Sequence, residues 1–332
     1  MIASVAFRNF KALRNTQVAL APFNLVIGPN GSGKTSLIEA IVALRNLAKL
    51  RTAPMPEAAP VKPDRPEVRF RFLPPFAEVE VKLGCESEFV CELREISSPR
   101  AESWTRLREA LLRARSYFFD ATKMARPNAP TEGERLDADA GNLSAVLAWR
   151  RAKDAAALSS LEKEFCRLFP EFERLDLHKN DAGLIELAAI LKQGSRPVLA
   201  ENLSQGTLHA LAILAIALDP HPASIVCIEE VDRGMHPRML RSIRDALYRL
   251  SYPGALGEKR DPVMVIATTH SPYFLDLFRD HPEEVIIAQK EGQEARFERL
   301  ADRADLSELL KEGSLGDMWY SGILGGVPDE TG

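Results

Sequence analysis

The sequence predicts an α/β fold, on three observations. An apolar strand, a glycine-rich loop and a helical stretch follow one another over residues 23–48. Compact β-rich runs alternate with helical patterns from about residue 224 onward, and short alternating strands occupy residues 67–96. At 332 residues with 45% hydrophobic content, the chain can bury a large core without a covalent staple.

Residues 2–28 read as strands that end in FNLVIG, and KTSLIEAIVALRNLAKL then carries Leu37, Ile38, Ile41, Val42 and Leu44 at helical recurrence. Pro54, Pro56, Pro60, Pro63 and Pro66 exclude helix and central strand, so this segment is expected to be a surface loop or linker. Residues 67–96 alternate polar and apolar positions in short bursts, the pattern of a small antiparallel β subdomain. A cationic helix is expected from Ala101 to about Arg115, and further helix from Asn142 to about Leu168. The runs SIVCIEE, PVMVIATTH and EEVIIAQ read as strands, with a helical pattern near 237–250. In ENLSQGTLHALAIL, Ser204, Gln205 and Gly206 precede an apolar helix with Thr207 and His209 on its first turn; the simplest reading is a serine cap.

Composition excludes several classes. The net charge of −4 gives no global basic signature, so any nucleic-acid contact needs a local patch. Cys85, Cys91, Cys166 and Cys227 form no Cys-x-x-Cys pair and have no histidine at ligand spacing, which speaks against a zinc site or a disulfide framework and for a reducing cytoplasm. Arg8 and Lys11 interrupt the opening residues, and no apolar run approaches a membrane span of about 18 residues, so neither a signal peptide nor a membrane helix is expected. There is no internal repeat and no low-complexity tract. No His-Asn-His cluster, and no spare acidic triad after residue 280, marks a nuclease centre.

The strongest chemical signal is Gly28-Pro29-Asn30-Gly31-Ser32-Gly33-Lys34-Thr35, a complete G-x-x-x-x-G-K-[ST] match between an apolar strand and a helix. Glycines in such a loop let backbone N–H groups turn inward around phosphates, and the helix dipole adds positive potential. Asn30, Gly31, Ser32, Gly33, Lys34, Thr35 and Ser36 are therefore the expected ATP-binding residues, with Lys34 on the β- and γ-phosphates and the Thr35 hydroxyl on Mg²⁺. Downstream, Ile225 to Ile228 deliver Glu229 and Glu230 to a strand's C-terminal end, the edge where ligands of open α/β sheets bind. Successive strand residues point to opposite sides, so Glu229 is assigned to the metal and Glu230 to the attacking water. A third strand ends in Thr268, Thr269 and His270, where His270 can sense a γ-phosphate by hydrogen bonding.

With these motifs in order, Leu203-Ser204-Gln205-Gly206-Thr207 resembles the signature sequence of ABC-type ATPases. There a serine hydroxyl, a glycine amide and a helix N-terminus bind the γ-phosphate held by a second subunit. The resemblance covers most of the chain. Within that superfamily the sequence resembles the ATPase heads of the SMC and RecF proteins and the stand-alone bacterial ATPases of the AAA family related to the OLD and RecF groups. The opening FRNFKALRNTQVALAPFNLVIGPNGSGKTSLIEAI and the segment EEVDRGMHP carry this likeness, and GSLGDMWYSGILGG matches a recurrent ending. The resemblance implies one ABC-type head over 1–332, with an α/β nucleotide lobe (1–120 and 206–332) and a mainly helical lobe (121–205). It also implies Mg²⁺-dependent ATP hydrolysis, an ATP-induced homodimer with Ser204 and Gly206 facing the other copy's nucleotide, and residues 232–237 at the dimer seam.

The chain departs from the superfamily pattern at three places. Glu229 stands where Asp is usual, the signature reads LSQGT rather than LSGGQ, and YFFDATKMARP lacks the glutamine by which transporters couple to a membrane partner. The expected role is accordingly DNA-related work, in repair or phage defence, with DNA and a separate nuclease or effector as partners. The alternative is the nucleotide-binding subunit of an ABC transporter; a small-molecule kinase leaves LSQGT and His270 unexplained. Arg100, Arg106, Arg108, Arg113, Arg115, Lys123 and Arg126 outnumber the acids between 100 and 126, the local patch that phosphate contact would need.

Overall fold

The computed structural model describes residues 1–49, 65–85, 91–98, 100–132 and 134–325. Most of the proline-rich segment lies outside the described residues. The chain opens with β1 (Ile2–Phe10), β2 (Leu13–Ala19), β3 (Phe23–Ile27) and α1 (Lys34–Ala48). Next come β4 (Glu67–Phe72), β5 (Glu80–Cys85), β6 (Cys91–Ser97), α2 (Ala101–Leu112) and β7 (Arg115–Tyr117). The middle of the chain forms α3 (Ala121–Met124), α4 (Leu143–Lys153), α5 (Ala155–Leu168), β8 (Phe172–Lys179), β9 (Ile185–Leu191), β10 (Pro197–Leu199) and α6 (Gln205–Ala217). It continues through β11 (Ile225–Ile228), α7 (Pro237–Ser251), β12 (Met264–Thr268) and α8 (Pro272–Asp276). It closes with β13 (Val285–Glu291), β14 (Glu294–Arg299), α9 (Leu306–Glu312) and α10 (Leu315–Tyr320).

These elements fall into two compact units. Residues 1–116, 223–228 and 261–332 make one, and residues 117–222 and 229–260 the other. This division differs from the lobes expected from sequence, because α6 and α7 group with the middle of the chain.

The first unit is built on a sheet with the order β6-β5-β4-β1-β2-β14-β13-β3-β12-β11-β7 among the described residues. Strands β13, β3, β12 and β11 pair in parallel, with Val285 opposite Leu25, Thr268 opposite Val26 and Ile228 opposite Ala267. Every residue of β3, β11 and β12 is buried, as parallel strands covered on both faces require. The strands of 67–96 extend the same sheet antiparallel through β4 on β1. Their inward Val68, Phe70, Val81 and Leu83 share one core with Leu37, Ile38, Ile41 and Leu44 of α1 and with Leu107 and Leu111 of α2.

Register corrects the cysteine reading. Cys85 and Cys91 face each other across β5 and β6 and are joined in a disulfide. Antiparallel pairing brings residues six apart together without any sequence motif, which is why spacing did not show it. Cys166 and Cys227 remain thiols.

The second unit packs its helices with a three-stranded antiparallel sheet, β10-β9-β8. That sheet had no counterpart among the sequence expectations. The helix expected over 142–168 is two helices, broken at Asp154, whose carboxylate accepts the Ala157 N–H and caps α5 (2.9 Å). Helix α6 is buried from Gly206 through Ala217. At its C-terminal end the buried Arg150 donates to the Ala215 carbonyl (2.6 Å) and pairs with Asp219 (2.8 Å).

Candidate functional site

In the first unit, the glycine loop is shaped by positions where no side chain fits. A Cβ on Gly28 (φ +147°) would lie 2.3 Å from the Ala288 carbonyl oxygen, and one on Gly33 (φ +92°) would lie 2.8 Å from Leu13. Lys34 is buried, and its ammonium donates to the carbonyls of Gly28 (2.7 Å) and Pro29 (2.9 Å), spanning the loop from the helix to its entry. Ser32 Oγ is fully buried with no hydrogen-bond partner, while Asn30, Gly31 and Thr35 are exposed and Ser36 is buried. Gly33 at the N-cap contributes no side chain to the first amides of α1, and no acid occupies the first turn. A buried hydroxyl lacking a partner, a helix start bare of carboxylates and a lysine gathered at the loop fit an anionic phosphate ligand. The exposed Thr35 carries a hydroxyl of the kind that would ligate a nucleotide-bound Mg²⁺.

The β12 corner lies next to this loop because β12 pairs with β3. The Thr269 N–H donates to the Val26 carbonyl (3.2 Å), and Thr269 Oγ1 accepts from the Ser271 N–H (3.0 Å). Thr268 and Thr269 are buried and His270 is exposed. Ser271 caps α8. The C-terminal GSLGDMWYSGILGG segment packs on that helix: the Gly316 N–H donates to Asp276 Oδ1 (2.7 Å), and a Cβ there would come within 2.6 Å of the Pro272 carbonyl oxygen. The ending therefore braces the turn that follows His270.

In the second unit, the acids and the LSQGT helix come together. Glu229 and Glu230 do not continue the strand, which ends at Ile228; they begin a turn in which Glu230 is left-handed (φ +49°). Opposite strand faces therefore do not separate the two carboxylates. The turn does, by reversing the backbone at Glu230. The Arg233 N–H donates to the Glu230 carbonyl (2.9 Å), its guanidinium lies 3.5 Å from the Glu230 carboxylate and 5.6 Å from the Phe118 ring centre, and the Glu229 N–H donates to the Tyr117 carbonyl (3.0 Å). The YFFD segment, lacking the transporters' glutamine, thus frames the acid turn.

Ser204 is the N-cap of α6, its Oγ accepting from the Thr207 N–H (3.1 Å) and lying 2.8 Å from Thr207 Oγ1. Gly206 is pressed against the acid turn: a Cβ on it would be 2.2 Å from the Gly234 carbonyl oxygen. His209, one helical turn on, holds the Arg233 carbonyl through Nδ1 (3.0 Å). Sequence reading gave the acids and the signature but not this junction; its visible signal was a histidine inside an otherwise Ala-, Leu- and Ile-rich helix.

Of the expected site residues, Lys34, its loop and His270 share the first unit, and Ser204, Gly206, Glu229 and Glu230 share the second. Of the expected cationic patch, Arg106 and Arg113 are exposed. Arg108 is engaged with the Ala48 carbonyl (2.6 Å) at the end of α1, and Arg115 with the carbonyls of Leu112 (3.0 Å) and Ala114 (2.7 Å). Lys123 pairs with Asp139 (2.7 Å).

The profile of the family described as "AAA domain, putative AbiEii toxin, Type IV TA system" matches residues 23–276, which contain the glycine loop, the LSQGT helix, the acid turn and His270. The chain belongs to this family. Two proteins named DNA replication and repair protein RecF are similar over short stretches. That of Erwinia tasmaniensis is 48% identical over 44 residues, 13% of this chain and 12% of the relative. That of Vibrio vulnificus YJ016 is 52% identical over 48 residues, 14% and 12% of the two chains. The matched stretch thus spans about an eighth of these curated relatives. Among solved structures, the SMC head domain from Thermotoga maritima is similar over 90% of this chain and 98% of that one, at 15% identity and a TM-score of 0.48. A RecF recombination mediator structure is similar over 90% and 98%, at 11% identity and 0.44. No helix among the described residues is long and apolar enough to cross a membrane.

Proposed function

We propose that this protein is an ATP-switched homodimer that hydrolyses ATP to drive DNA-related work with a separate effector. The observation that carries the reading is the glycine loop, with its buried partnerless Ser32 hydroxyl and the Lys34 ammonium gathered at its mouth. Lys34 and the loop amides hold the phosphates, and Thr35 and Glu229 are the residues for Mg²⁺, which supplies charge neutralisation on the phosphate oxygens when bound. Glu230 accepts the proton of the attacking water as the water oxygen bonds to the γ-phosphorus and the bond to ADP breaks. His270 donates to the γ-phosphate and reports its presence. Ser204 and Gly206 of the second copy close the sandwich from the other side.

The DNA component is supported by the RecF relatives, which are named for DNA replication and repair, and by the exposed Arg106 and Arg113. The absent transporter glutamine, replaced by residues that frame the acid turn, argues against a membrane partner.

Glu230→Gln tests the reading. The amide fills the same space but takes no proton, so ATP binding should persist, hydrolysis should nearly vanish and an ATP–Mg²⁺ dimer should accumulate in sedimentation. A variant that stays monomeric with ATP bound would overturn the assignment.

A further inference from the structure

His209 is an expensive residue for its position. Its side chain is 1% exposed in a helix otherwise apolar around it, and its Nε2 is buried with no hydrogen-bond partner. The other nitrogen, Nδ1, lies 3.0 Å from the Arg233 carbonyl, which can only accept, so Nδ1 carries the proton and donates. The neutral ring then leaves Nε2 as a bare acceptor against protein, a desolvated group with nothing returned for it. An aliphatic side chain would fill the space without that cost. What it would lack is the single donor.

That donor acts at a particular place. The Arg233 carbonyl belongs to the turn that opens at Glu230, whose own carbonyl accepts from the Arg233 N–H (2.9 Å) and whose backbone is left-handed. The next residue, Gly234 (φ +72°), presents its carbonyl to Gly206 at a distance that admits no Cβ. Phe119 packs on the imidazole with ring centres 5.5 Å apart and limits its rotation. The turn thus meets the helix twice, by close contact at Gly206 and by hydrogen bond at His209.

We propose that His209 is a positioning residue that locks the Glu230–Met235 turn to the LSQGT helix, so that the placement of the acid and of the signature are set as one body. The inference rests on the assignment of Glu230 and LSQGT to ATP hydrolysis proposed above. It makes hydrolysis depend on the signature through a bond that touches no substrate.

The test compares three replacements. His209→Asn places an amide donor at the Nδ1 position, His209→Gln carries the donor one carbon farther out, and His209→Leu fills the space without one. Asn should keep kcat within about threefold of wild type, whereas Gln and Leu should lower it tenfold or more, a loss of at least about 1.4 kcal/mol of transition-state stabilisation. All three should leave ATP affinity and KM within about twofold, because loss of an interaction made only in the transition state lowers kcat alone. Hydrogen exchange gives a readout independent of activity: the amides of Arg233 and Met235 should stay protected in wild type and Asn and exchange faster in Gln and Leu. Equal kcat and equal exchange in all three, or Asn no better than Gln, would overturn the proposal and return His209 to a core residue. Glu230→Gln, run in parallel, separates the two readings. If it is inactive while His209→Leu is normal, only the His209 proposal fails. If it hydrolyses at the wild-type rate the acid assignment fails, and exchange alone then decides whether His209 locks the turn.

Discussion

Gly206→Ala places one methyl group where the backbone allows none. The new Cβ would lie 2.2 Å from the Gly234 carbonyl oxygen, 2.9 Å from its carbonyl carbon and 3.3 Å from Met235 Cα. Carbon–oxygen contacts settle at about 3.3–3.6 Å, so the Gly234 carbonyl must retreat by about 1 Å. The obstruction is backbone in a left-handed turn, not the end of a flexible side chain. Overpacking of this kind costs about 1–3 kcal/mol. Because backbone must move, the cost lies in the upper half of that range, about 2–3 kcal/mol; alanine returns up to about 1 kcal/mol of helix propensity relative to glycine, which leaves a net loss of roughly 1–2 kcal/mol. At about 2–4 °C per kcal/mol for a domain of this size, the melting temperature should fall by roughly 2–8 °C. The same displacement moves the Glu230 turn and the Gly206 amide that closes the sandwich, so ATP turnover should fall more than tenfold while nucleotide affinity of the single chain, which depends on the glycine loop, stays near wild type. Calorimetry, a coupled phosphate-release assay and titration with a non-hydrolysable analogue read the three quantities. A variant with unchanged melting temperature and full turnover would refute the close packing of Gly206 on Gly234 and the coupling built on it.

Gly28→Ala meets the Ala288 carbonyl at 2.3 Å in a backbone conformation hostile to side chains, so ATP affinity measured by calorimetry should fall at least about tenfold, the equivalent of about 1.4 kcal/mol of distortion in the loop. Burial lowers the His209 pKa below its ordinary 6.5, against the raising effects of its bond to Arg233 and the charges of Glu230 and Asp120, while Arg233 adds to the lowering. As pH falls through 6.5 the unfolded chain binds a proton that the folded chain refuses, so stability present above 6.5 is lost down to the folded pKa. The fall in urea midpoint from pH 7.5 to 5.5 should therefore be smaller in His209→Asn than in wild type. Arg106→Ala with Arg113→Ala should reduce DNA binding in anisotropy and flatten its log–log salt slope by up to about 2, whereas Arg108→Ala, which removes a bond to the end of α1, should cost about 1–2 kcal/mol of stability instead.

Much of the fold was legible because its signals are local. The strand–loop–helix of residues 23–48 announces itself through glycine spacing and apolar periodicity, and β11, β12 and β13 through unbroken apolar runs bounded by polar ones. The β8–β9 hairpin was missed although FERLDLHK alternates and Asn180 makes the turn, its Oδ1 accepting from the N–H groups of Ala182 and Leu184. It follows two helices, and alternation over so few residues is easily read as their continuation. The Cys85–Cys91 pairing depends on hairpin register, and the Gly206–Gly234 contact joins residues whose proximity only the tertiary fold creates. For the site, residue types carried the chemistry and geometry carried the coupling. Glu229 and Glu230 were readable as acids at a strand's end, but the left-handed turn at Glu230 was not.

The central claim is that each ATP is held between Lys34 of one chain and Ser204 of another. Lys34→Ala should destroy phosphate binding at both sites of its homodimer, and Ser204→Arg should block both signatures, so each variant alone should be inactive. In a mixed dimer one site combines both lesions, while the other joins the intact loop of the Ser204→Arg chain to the intact signature of the Lys34→Ala chain. With random pairing about half the dimers are mixed and each has one good site, so mixing should restore turnover toward roughly a quarter of wild type when the sites act independently. The decisive measurement is turnover and ATP retention in the mixture, with heterodimer formation monitored by differently tagged chains. Recovered activity that tracks heterodimer content is the predicted result. Heterodimers that form readily yet neither hydrolyse nor retain ATP would contradict it, and would leave LSQGT as the capped start of a buried helix.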